Sequence, residues 1–529
     1  MKNHAVLEIG IVRKAIGGET ARIVLCEILL VVLILLTFAP SLHHVFRADQ
    51  WKYLTFVRNT EGFLDTWSAT YSLTRQTNHG DSHLFRPLLY GCLALERSLF
   101  AADFQKYQAV NLALHIANTC TLFFLLYRAV QVMCPATRPA TSSPGSLSHA
   151  AFLLPLAASA LFAVNVPGAE MVIWTHIAAY QVWILLFLWV LYCLLAIQAG
   201  QRLGNMKKIA LWCAIFCMAL IYEIAFPIGV VVAGFAAHLR EDWRSKSKVF
   251  LWFLSPLMLS AAINVADYYH WQRPTASVGK VGAVLPFLGK TCFYLMVQPF
   301  FPELCNPQAG ARTYLPLAST NANQILFSVF GLMLATALFS MHGVKDRDWR
   351  RRAVPWVVAM ALIALVHGLF IVTRLVMHST GIALMWHSSY YCHFFVIYVL
   401  LSCVVITSSQ LAGDSVGRRY CADCLSLALL AVALNSASKT HELCVSCAVQ
   451  SRPTINCSSQ LDAFIKRQLA EGAPPRLAST IVKENDLGLS CLDGILDLYP
   501  KYHALTEDQA THMLFYRDDG IVVAPRNSK

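Results

Sequence analysis

Long apolar segments recur along this 529-residue chain and limit the folds that it can adopt. Because lipid offers no hydrogen-bond partners, a segment that crosses about 30 Å of hydrocarbon must satisfy its own backbone as a helix. Eleven segments fit, at residues 22–40, 108–133, 149–164, 172–198, 208–222, 224–239, 249–266, 323–341, 353–373, 391–410 and 421–436. The sequence therefore predicts an all-α polytopic membrane protein with about eleven transmembrane helices.

The composition agrees with a membrane protein. Apolar residues make up 57% of the chain, charged residues only 14%, and the mean hydropathy is +0.52, whereas about a quarter of the residues in soluble domains are charged. The net charge of +12 is divided among short basic clusters between apolar segments. Because no single basic patch forms, nucleic acid is not an expected partner.

The basic clusters predict the orientation of the helices, since cytoplasmic loops are enriched in Lys and Arg. With the N terminus cytoplasmic, every loop assigned to the cytoplasm is basic. The residues concerned are Arg138, Arg202, Lys207, Lys208, Arg240, Arg244, Lys246, Lys248, Lys345, Arg347, Arg350, Arg351, Arg352, Arg418 and Arg419. The lumenal or periplasmic side then receives a first loop at 41–107, a second large loop at 267–322 and the C terminus. An apolar stretch at 282–301 is predicted to be interfacial or re-entrant.

The chain divides into a transmembrane domain, 1–436, and a small α+β domain, 437–529, on the lumenal side. In this second domain, Leu461 to Leu469 show helical spacing, Gly472 is a helix stop and 520–525 reads as a strand. Its cysteines are Cys444, Cys447, Cys457 and Cys491. Structural disulfides are the favoured interpretation for an exported domain, and redox or zinc chemistry at the CxxC pair is the alternative.

The motifs that the sequence lacks restrict the chemistry. There is no Walker loop, dinucleotide-binding glycine fingerprint, GxSxG or HExxH motif. An enzyme without these needs a substrate that is already activated, and a lipid-phosphate-linked sugar meets that need because its phosphate is a leaving group. Such an enzyme must supply a base for the acceptor hydroxyl and cations for the departing phosphate.

Residues of the predicted lumenal loops provide candidates for both roles. Asp49, about nine residues beyond Pro40, is the candidate base, and the alternative is a solvated charge near Arg47 and Lys52. The candidate phosphate ligands are His83, Arg86, Arg374, His378 and His387. For Arg374 an interfacial snorkelling role is the alternative.

Two acids lie at tight lumenal turns. Glu170 is a candidate substrate contact or a structural partner of Arg86 or His176, and Glu223 is a candidate substrate contact or a simple mark of a helical hairpin. For the histidines His43, His44, His115 and His367, a hydrogen-bonded structural role is favoured over metal binding.

Four segments carry a family resemblance. They are SHLFRPLL (82–89), YQAVNLALH (107–115), LFAVNVPGAEMVIW (161–174) and YEIAFP (222–227). In these residues the chain resembles the GT-C superfamily of polyprenyl-phosphate-sugar-dependent glycosyltransferases. Within it, the chain most resembles the O-mannosyltransferase-related group, whose eukaryotic members carry tetratricopeptide repeats. Those repeats are absent from this sequence.

The resemblance implies an inverting glycosyltransferase with a GT-C-like membrane fold that needs no metal or other cofactor. It implies that Asp49 is the catalytic base, that Arg86 and Arg374 balance the leaving phosphate, and that Glu170 orients the acceptor or holds Arg86. His83, Glu223 and His387 complete the implied substrate site. The chain departs from the family at Gln108, Asn165, Tyr222 and Ser389, where histidine, histidine, lysine and arginine are expected.

Several alternatives remain open. The acceptor is a hydroxyl of a protein or of an envelope glycan or lipid, and the sequence identifies neither it nor the sugar. A lipid-linked glycan transporter or flippase and an inactive GT-C-like scaffold are the competing functions. A bacterial inner membrane is the favoured location, with the N terminus cytoplasmic and the C terminus periplasmic, and the endoplasmic reticulum is the alternative.

Overall fold

The computed structural model describes residues 2–45, 86–100, 103–134, 149–271, 347–377, 390–411, 416–479, 509–517 and 520–525, together with residues 496 and 502. Helices occupy ten of the eleven predicted segments. The eleventh, 323–341, and the predicted interfacial stretch at 282–301 lie outside the described residues.

The elements are numbered here in chain order over the described residues. The helices are α1 (Lys2–Phe38), α2 (Pro87–Phe100), α3 (Phe104–Met133), α4 (His149–Val164), α5 (Val166–Ile173), α6 (Ala178–Gln198), α7 (Asn205–Ile221), α8 (Ala225–His238), α9 (Trp243–Trp271), α10 (Arg347–Met377), α11 (Tyr390–Leu411) and α12 (Val416–Ala470). Short 3-10 turns occupy Ala39–His43 and Thr175–Ile177. The strands are β1 (Leu477–Ser479), β2 (His512–Arg517) and β3 (Gly520–Pro525).

Length and composition make the helices a membrane bundle. Within the described ranges, six helices are long and apolar enough to cross a membrane, or seven if α4 and α5 are one bent span. The count is below eleven because α7, with 17 residues, α8 and the apolar part of α11 are shorter, and because 323–341 lies outside the described residues. The outer faces are apolar, as on α10, where Val354, Val358, Leu362, Leu365 and Leu369 form an exposed stripe at helical spacing. The chain is an all-α polytopic integral membrane protein.

Three of the predicted cytoplasmic loops meet at one end of the bundle. Gln198, the last residue of α6, donates from Nε2 to the backbone carbonyl of Arg352 at 2.9 Å. Glu241, between α8 and α9, lies 3.9 Å from Arg351. The connections after α6 and α8 and the start of α10 therefore share one end, as the basic residues predict.

A break between α4 and α5 lies inside the bundle, where the two helices are bent by 55° at Asn165. The Asn165 side chain accepts a hydrogen bond from the backbone N–H of Gly168 at 2.8 Å and so caps the start of α5. The predicted tight turn at 165–170 is therefore wrong: these residues begin a helix, and Glu170 lies on it.

The last four carbonyls of α4 have no partner within the helix and are shielded from water, so each needs another donor. Nδ2 of Asn165 donates to the carbonyl of residue 162 at 2.6 Å and lies 3.4 Å from that of residue 161. Nε2 of His115, on α3, lies 2.7 Å from the carbonyl of residue 163. The hydroxyl of Thr440, on α12, donates to the carbonyl of residue 164 at 2.8 Å.

The last four backbone carbonyls of α5 also accept hydrogen bonds from other parts of the chain. The backbone N–H of Trp174 donates to the carbonyl of residue 170 at 2.9 Å. Side-chain amides of Gln181, Asn111 and Gln108 donate to the carbonyls of residues 171, 172 and 173 at 3.1, 3.1 and 3.0 Å. Side chains from α3, α6 and α12 thus hold the ends of both short helices, and they fix how α3 and α6 pack around the break.

Helix α12 runs without interruption through residue 436, where the sequence predicted a domain boundary. Beyond that residue, its polar side chains meet the ends of other helices. Thr440 caps α4, Nδ1 of His441 lies 3.2 Å from the carbonyl of Thr37, and the Ser451 hydroxyl accepts from the backbone N–H of Val45 at 3.2 Å. These partners at the end of the bundle explain why a polar segment continues the helix.

Three of the four cysteines in the predicted second domain lie on α12. Cys444, Cys447 and Cys457 are buried there, and Cys491 lies outside the described residues. Cys444 and Cys447 pack in the main apolar core, and Cys457 packs in the cluster beneath the sheet. All three act as small core residues.

The small sheet packs on the end of the bundle. Strand β2 pairs in parallel with β1 and antiparallel with β3. Helix α12 ends as predicted before Gly472, whose φ of +74° favours glycine, and β3 matches the predicted strand. Leu461, Leu477 and Leu514 share a buried cluster with Leu93 and Tyr107, so the sheet, α2, α3 and α12 have a common core.

Two glycines of α8 provide a test of its packing. A Cβ at Gly229 would overlap a δ-carbon of Leu257 on α9, whereas a Cβ at Gly234 would meet nothing within 4 Å. We expect Gly229→Ala to lower the free energy of unfolding by about 1–3 kcal/mol through overpacking. Thermal unfolding of the purified protein in detergent measures the change. Gly234→Ala is the matched control and should leave stability unchanged or raise it by about 0.5–1 kcal/mol; equal losses for both variants would contradict this packing.

Candidate active site

A buried ion pair joins two residues that the sequence singled out. Nε of Arg86 donates to Oε2 of Glu223 at 2.7 Å, and Nη2 donates to Oε1 at 2.6 Å. Nη1 donates to the Tyr180 hydroxyl at 2.5 Å. The side chain of Arg86 is 5% exposed and that of Glu223 is 22% exposed. This two-bond geometry is the strongest arrangement that arginine and a carboxylate form.

Local sequence places the three groups together. Arg86 precedes Pro87, which begins α2, and proline suits the first position of a helix. Glu223 lies in the tight connection between α7 and α8, where the backbone N–H of Phe226 donates to its carbonyl at 3.1 Å. Tyr180 is in the first turn of α6. The ends of α2, α6, α7 and α8 therefore meet at the predicted lumenal end of the bundle.

Aromatic rings surround the guanidinium. The Cζ atom of Arg86 lies 5.0 Å from the ring centroid of Tyr222 and 5.9 Å from that of Tyr180. The two tyrosine rings are 5.0 Å apart, and Trp183 and Phe394 pack against them. Cation–π contacts add to the ion pair, and the rings exclude water from it.

Glu170 lies on α5 and is partly exposed. The N–H of Trp174 donates to its backbone carbonyl at 2.9 Å, which holds the end of this helix. The 3-10 turn that follows, Thr175–Ile177, leads directly into α6 and Tyr180. The chain from Glu170 to Tyr180 therefore connects the helix break with the Arg86 ion pair.

The remaining predicted site residues are not placed by the described part of the chain. Asp49, His83 and His387 lie outside it, as does His378. Arg374 is within α10, near the end of the helix, but its side chain is not described. The described chain stops at Val45, four residues before Asp49, and Val45 is held to α12 by the hydrogen bond to Ser451.

A cavity of about 510 Å³ lies where this loop begins. His43 and His44 line it beside Asp103, at the start of α3, and Asp462 and Lys466 line it from α12. Both acids have cationic partners: Asp103 is 3.0 Å from Lys106, and Asp462 is 2.5 Å from Lys466. The cavity therefore has paired charges on two of its sides, and it adjoins the loop that carries Asp49.

The structure confirms the structural interpretation of two histidines. His115 caps α4, and Nδ1 of His367 lies 3.2 Å from the Tyr398 hydroxyl. In the described ranges, no group of three or more His, Cys, Asp or Glu side chains is placed to hold a metal ion.

The contacts that two tyrosines make with Arg86 were not predicted from the sequence. Tyr180 is an isolated tyrosine in an apolar helix, and nothing in its neighbours indicates an arginine partner. Tyr222 precedes Glu223 where the family resemblance implies lysine, and its ring packs on Arg86 instead. Gln108 and Asn165, two of the other departures, both cap helix ends, and Ser389 lies outside the described residues.

The chain matches no protein-family model and no curated protein sequence. Among solved structures it is similar to an oligosaccharyltransferase of Archaeoglobus fulgidus tethered to an acceptor peptide, at 12% identity and a TM-score of 0.41. That match covers 79% of this chain and 55% of the other, so the chain spans about half the length of that enzyme.

A second similar structure is ArnT of Cupriavidus metallidurans bound to undecaprenyl phosphate. Its identity to this chain is 13% and its TM-score is 0.36, with coverage of 94% of this chain and 87% of the other. At these TM-scores, both likenesses are remote.

A double-mutant cycle tests the ion pair. Arg86→Ala or Glu223→Ala removes one half of a largely buried ion pair, and we expect each change to cost about 3–5 kcal/mol of stability. The double variant should lose less than the sum of the two single losses, as measured by thermal unfolding. The exposed pair Asp103–Lys106, with 42% and 60% exposure, is the control and should contribute about 0–1 kcal/mol. If the double variant lost as much stability as the two single variants together, Arg86 and Glu223 would not be paired.

Glu96, on α2, makes stability depend on pH. It is buried, and its Oε2 has no hydrogen-bond partner within the described part of the chain. Burial raises the pKa of the carboxyl from an ordinary 4.5 to about 8. Because the folded state keeps the proton and the unfolded state loses it, this contribution to stability is complete below pH 4.5 and declines as pH rises through about 8.

We therefore expect Glu96→Gln to reduce the fall in Tm between pH 5 and pH 8, because the amide has no proton to lose. Thermal unfolding across that range measures the difference. Glu471→Gln changes an exposed acid just after α12 and is the matched control. Its Tm should depend on pH as that of the unsubstituted protein does. A Glu96→Gln profile that is parallel to that of the unsubstituted protein would show that Glu96 is ionised in the fold.

Proposed function

We propose that this chain is a membrane glycosyltransferase that moves a sugar from a polyprenyl-phosphate donor to a hydroxyl acceptor. The reaction takes place at the lumenal or periplasmic end of the bundle, on a protein or on an envelope glycan or lipid. The bacterial inner membrane is the proposed location, with the N terminus cytoplasmic.

The observation that supports this proposal best is the Arg86–Glu223 pair. These residues belong to two of the four family-like segments, they are 137 positions apart, and they meet in a bidentate ion pair at one end of the bundle. Glu170, from a third segment, lies on α5, which a short 3-10 turn joins to the first turn of α6, where Tyr180 lies. The described residues of these three segments therefore support a common site at the predicted lumenal end of the bundle.

The geometry changes the role proposed for Arg86. Its charge is balanced by Glu223 and three of its donors are engaged, so it is a poor choice to bind a departing phosphate. We assign Arg86 to hold Glu223 and to fasten α2 to the connection between α7 and α8. Glu223, the more exposed member of the pair, is the one placed to contact substrate. Neutralising the phosphate then falls to Arg374, with His83 and His387.

The proposed reaction is a single inverting displacement. Asp49 removes the proton of the acceptor hydroxyl as its oxygen attacks the anomeric carbon of the sugar. The bond between that carbon and the phosphate oxygen breaks, and its electron pair leaves with the polyprenyl phosphate, whose negative charge Arg374 stabilises. Glu170 orients the acceptor. The products are the glycosylated acceptor, protonated Asp49 and polyprenyl phosphate.

The helix break favours this enzyme over a transporter. In many transporters the ends of broken helices coordinate ions or substrates near the middle of the membrane. Here, side chains or the backbone of this chain already occupy the last four carbonyls of α4 and of α5. The break therefore serves as a structural joint between helices.

Replacing Asp49 tests the proposed base. We expect Asp49→Asn to reduce sugar transfer by about 10²–10⁴-fold, because the amide cannot accept the proton. The measurement is incorporation of labelled sugar from a polyprenyl-phosphate donor into membrane or surface material. Asp65→Asn, in the same loop, is the matched control and should retain activity. Undiminished transfer by Asp49→Asn would remove Asp49 from this role.

A further inference from the structure

A second cavity, of about 690 Å³, lies at the opposite end of the bundle from the Arg86 ion pair. It is bounded by the end of α6, the first half of α7, the connection between α8 and α9, and the start of α9. Helix α6 runs from Ala178, beside the ion pair, to Gln198, beside this cavity, which separates the two sites by about 30 Å.

Four cations line the cavity, and its lining contains no acidic residue. They are Arg202, Lys208, Arg240 and Lys248. In the described part of the chain, none of these four forms an ion pair. The nearest acid in sequence, Glu241, lies 3.9 Å from Arg351. Bringing four like charges together is unfavourable unless an anion joins them, so the cavity has the electrostatics of an anion site.

One wall of the same cavity is apolar. Trp252 and Phe253 line it from α9, and Leu211 lines it from α7. Leu251 and Met258 on α9 are 62% and 60% exposed, so this helix borders the lipid directly. A free anion needs no such wall, whereas a lipid brings an anionic headgroup and an apolar chain to one place. Basic pockets between helices at the cytoplasmic membrane edge suit anionic headgroups.

We propose that this cavity binds the phosphate group of an anionic phospholipid, with the four cations around the phosphate and Trp252 and Phe253 against the glycerol and the first carbons of the chains. The site is separate from the glycosyl-transfer site and does not depend on the proposed function. It would anchor α6, α7, α8 and α9 to the leaflet at the predicted cytoplasmic end.

Native mass spectrometry of the full chain in detergent tests this site, with phosphatidylglycerol as the probe and phosphatidylcholine as the neutral comparison. The double variant Lys208→Ala/Arg240→Ala removes two of the lining cations. Its affinity for phosphatidylglycerol should fall roughly thirtyfold, since each cation near an anionic lipid contributes about fivefold. The matched control is Lys207→Ala/Arg244→Ala, which removes the same charge at neighbouring positions outside the cavity and should bind like the unsubstituted protein.

Inorganic phosphate, titrated separately, distinguishes the two sources of the phosphate group. If millimolar phosphate does not displace bound phosphatidylglycerol, the site binds the lipid as proposed. If phosphate displaces it, the same cations bind free phosphate instead. Equal phosphatidylglycerol binding by both double variants would overturn the site, as would equal affinity for phosphatidylcholine. All four substituted side chains are exposed, and an unchanged Tm confirms that each variant is folded.

Discussion

The fold depends on satisfying backbone carbonyls where a helix breaks inside the bundle. Helix α4 ends and α5 begins at Asn165, and away from water each orphaned carbonyl must find a donor. His115, Asn165 and Thr440 supply donors to α4, and side-chain amides from α3 and α6 supply them to α5. Loss of any one donor would leave a buried acceptor unpaired, at about 1–3 kcal/mol.

The same interactions position the candidate active site. Gln181 caps α5 through its side-chain amide, and the hydroxyl of the adjacent Tyr180 accepts a hydrogen bond from Arg86. Asn118, on α3, donates to Oε1 of Gln181 at 2.9 Å and so orients that cap. The position of α6 that brings Gln181 to the end of α5 therefore also places Tyr180 beside the guanidinium of Arg86. Arg86 in turn holds Glu223 in its ion pair. The position of α6 thus determines both the hydrogen bonds to the carbonyls at the helix break and the arrangement of the site residues.

The sequence predicted the helices well and their ends less well. Apolar length and basic loops were sufficient to predict helices in ten segments, because lipid forces such segments into helices. Helix α5 and the continuation of α12 through Thr440 were not foreseen, because both depend on partners distant in sequence. For the same reason Arg86 and Glu223 could be assigned to one membrane face, while their pairing, and the contribution of Tyr180, required the tertiary structure.

Cleavage of a lipid-linked donor distinguishes the proposed glycosyltransferase from a transporter and from an inactive scaffold. The most direct measurement reconstitutes the purified full chain in liposomes with a panel of polyprenyl-phosphate sugars and follows release of polyprenyl phosphate together with labelled product. We expect polyprenyl phosphate to appear with time and in equal amount to the transferred sugar. Movement of the intact donor between leaflets without cleavage, or no change in the donor across the panel, would contradict this expectation.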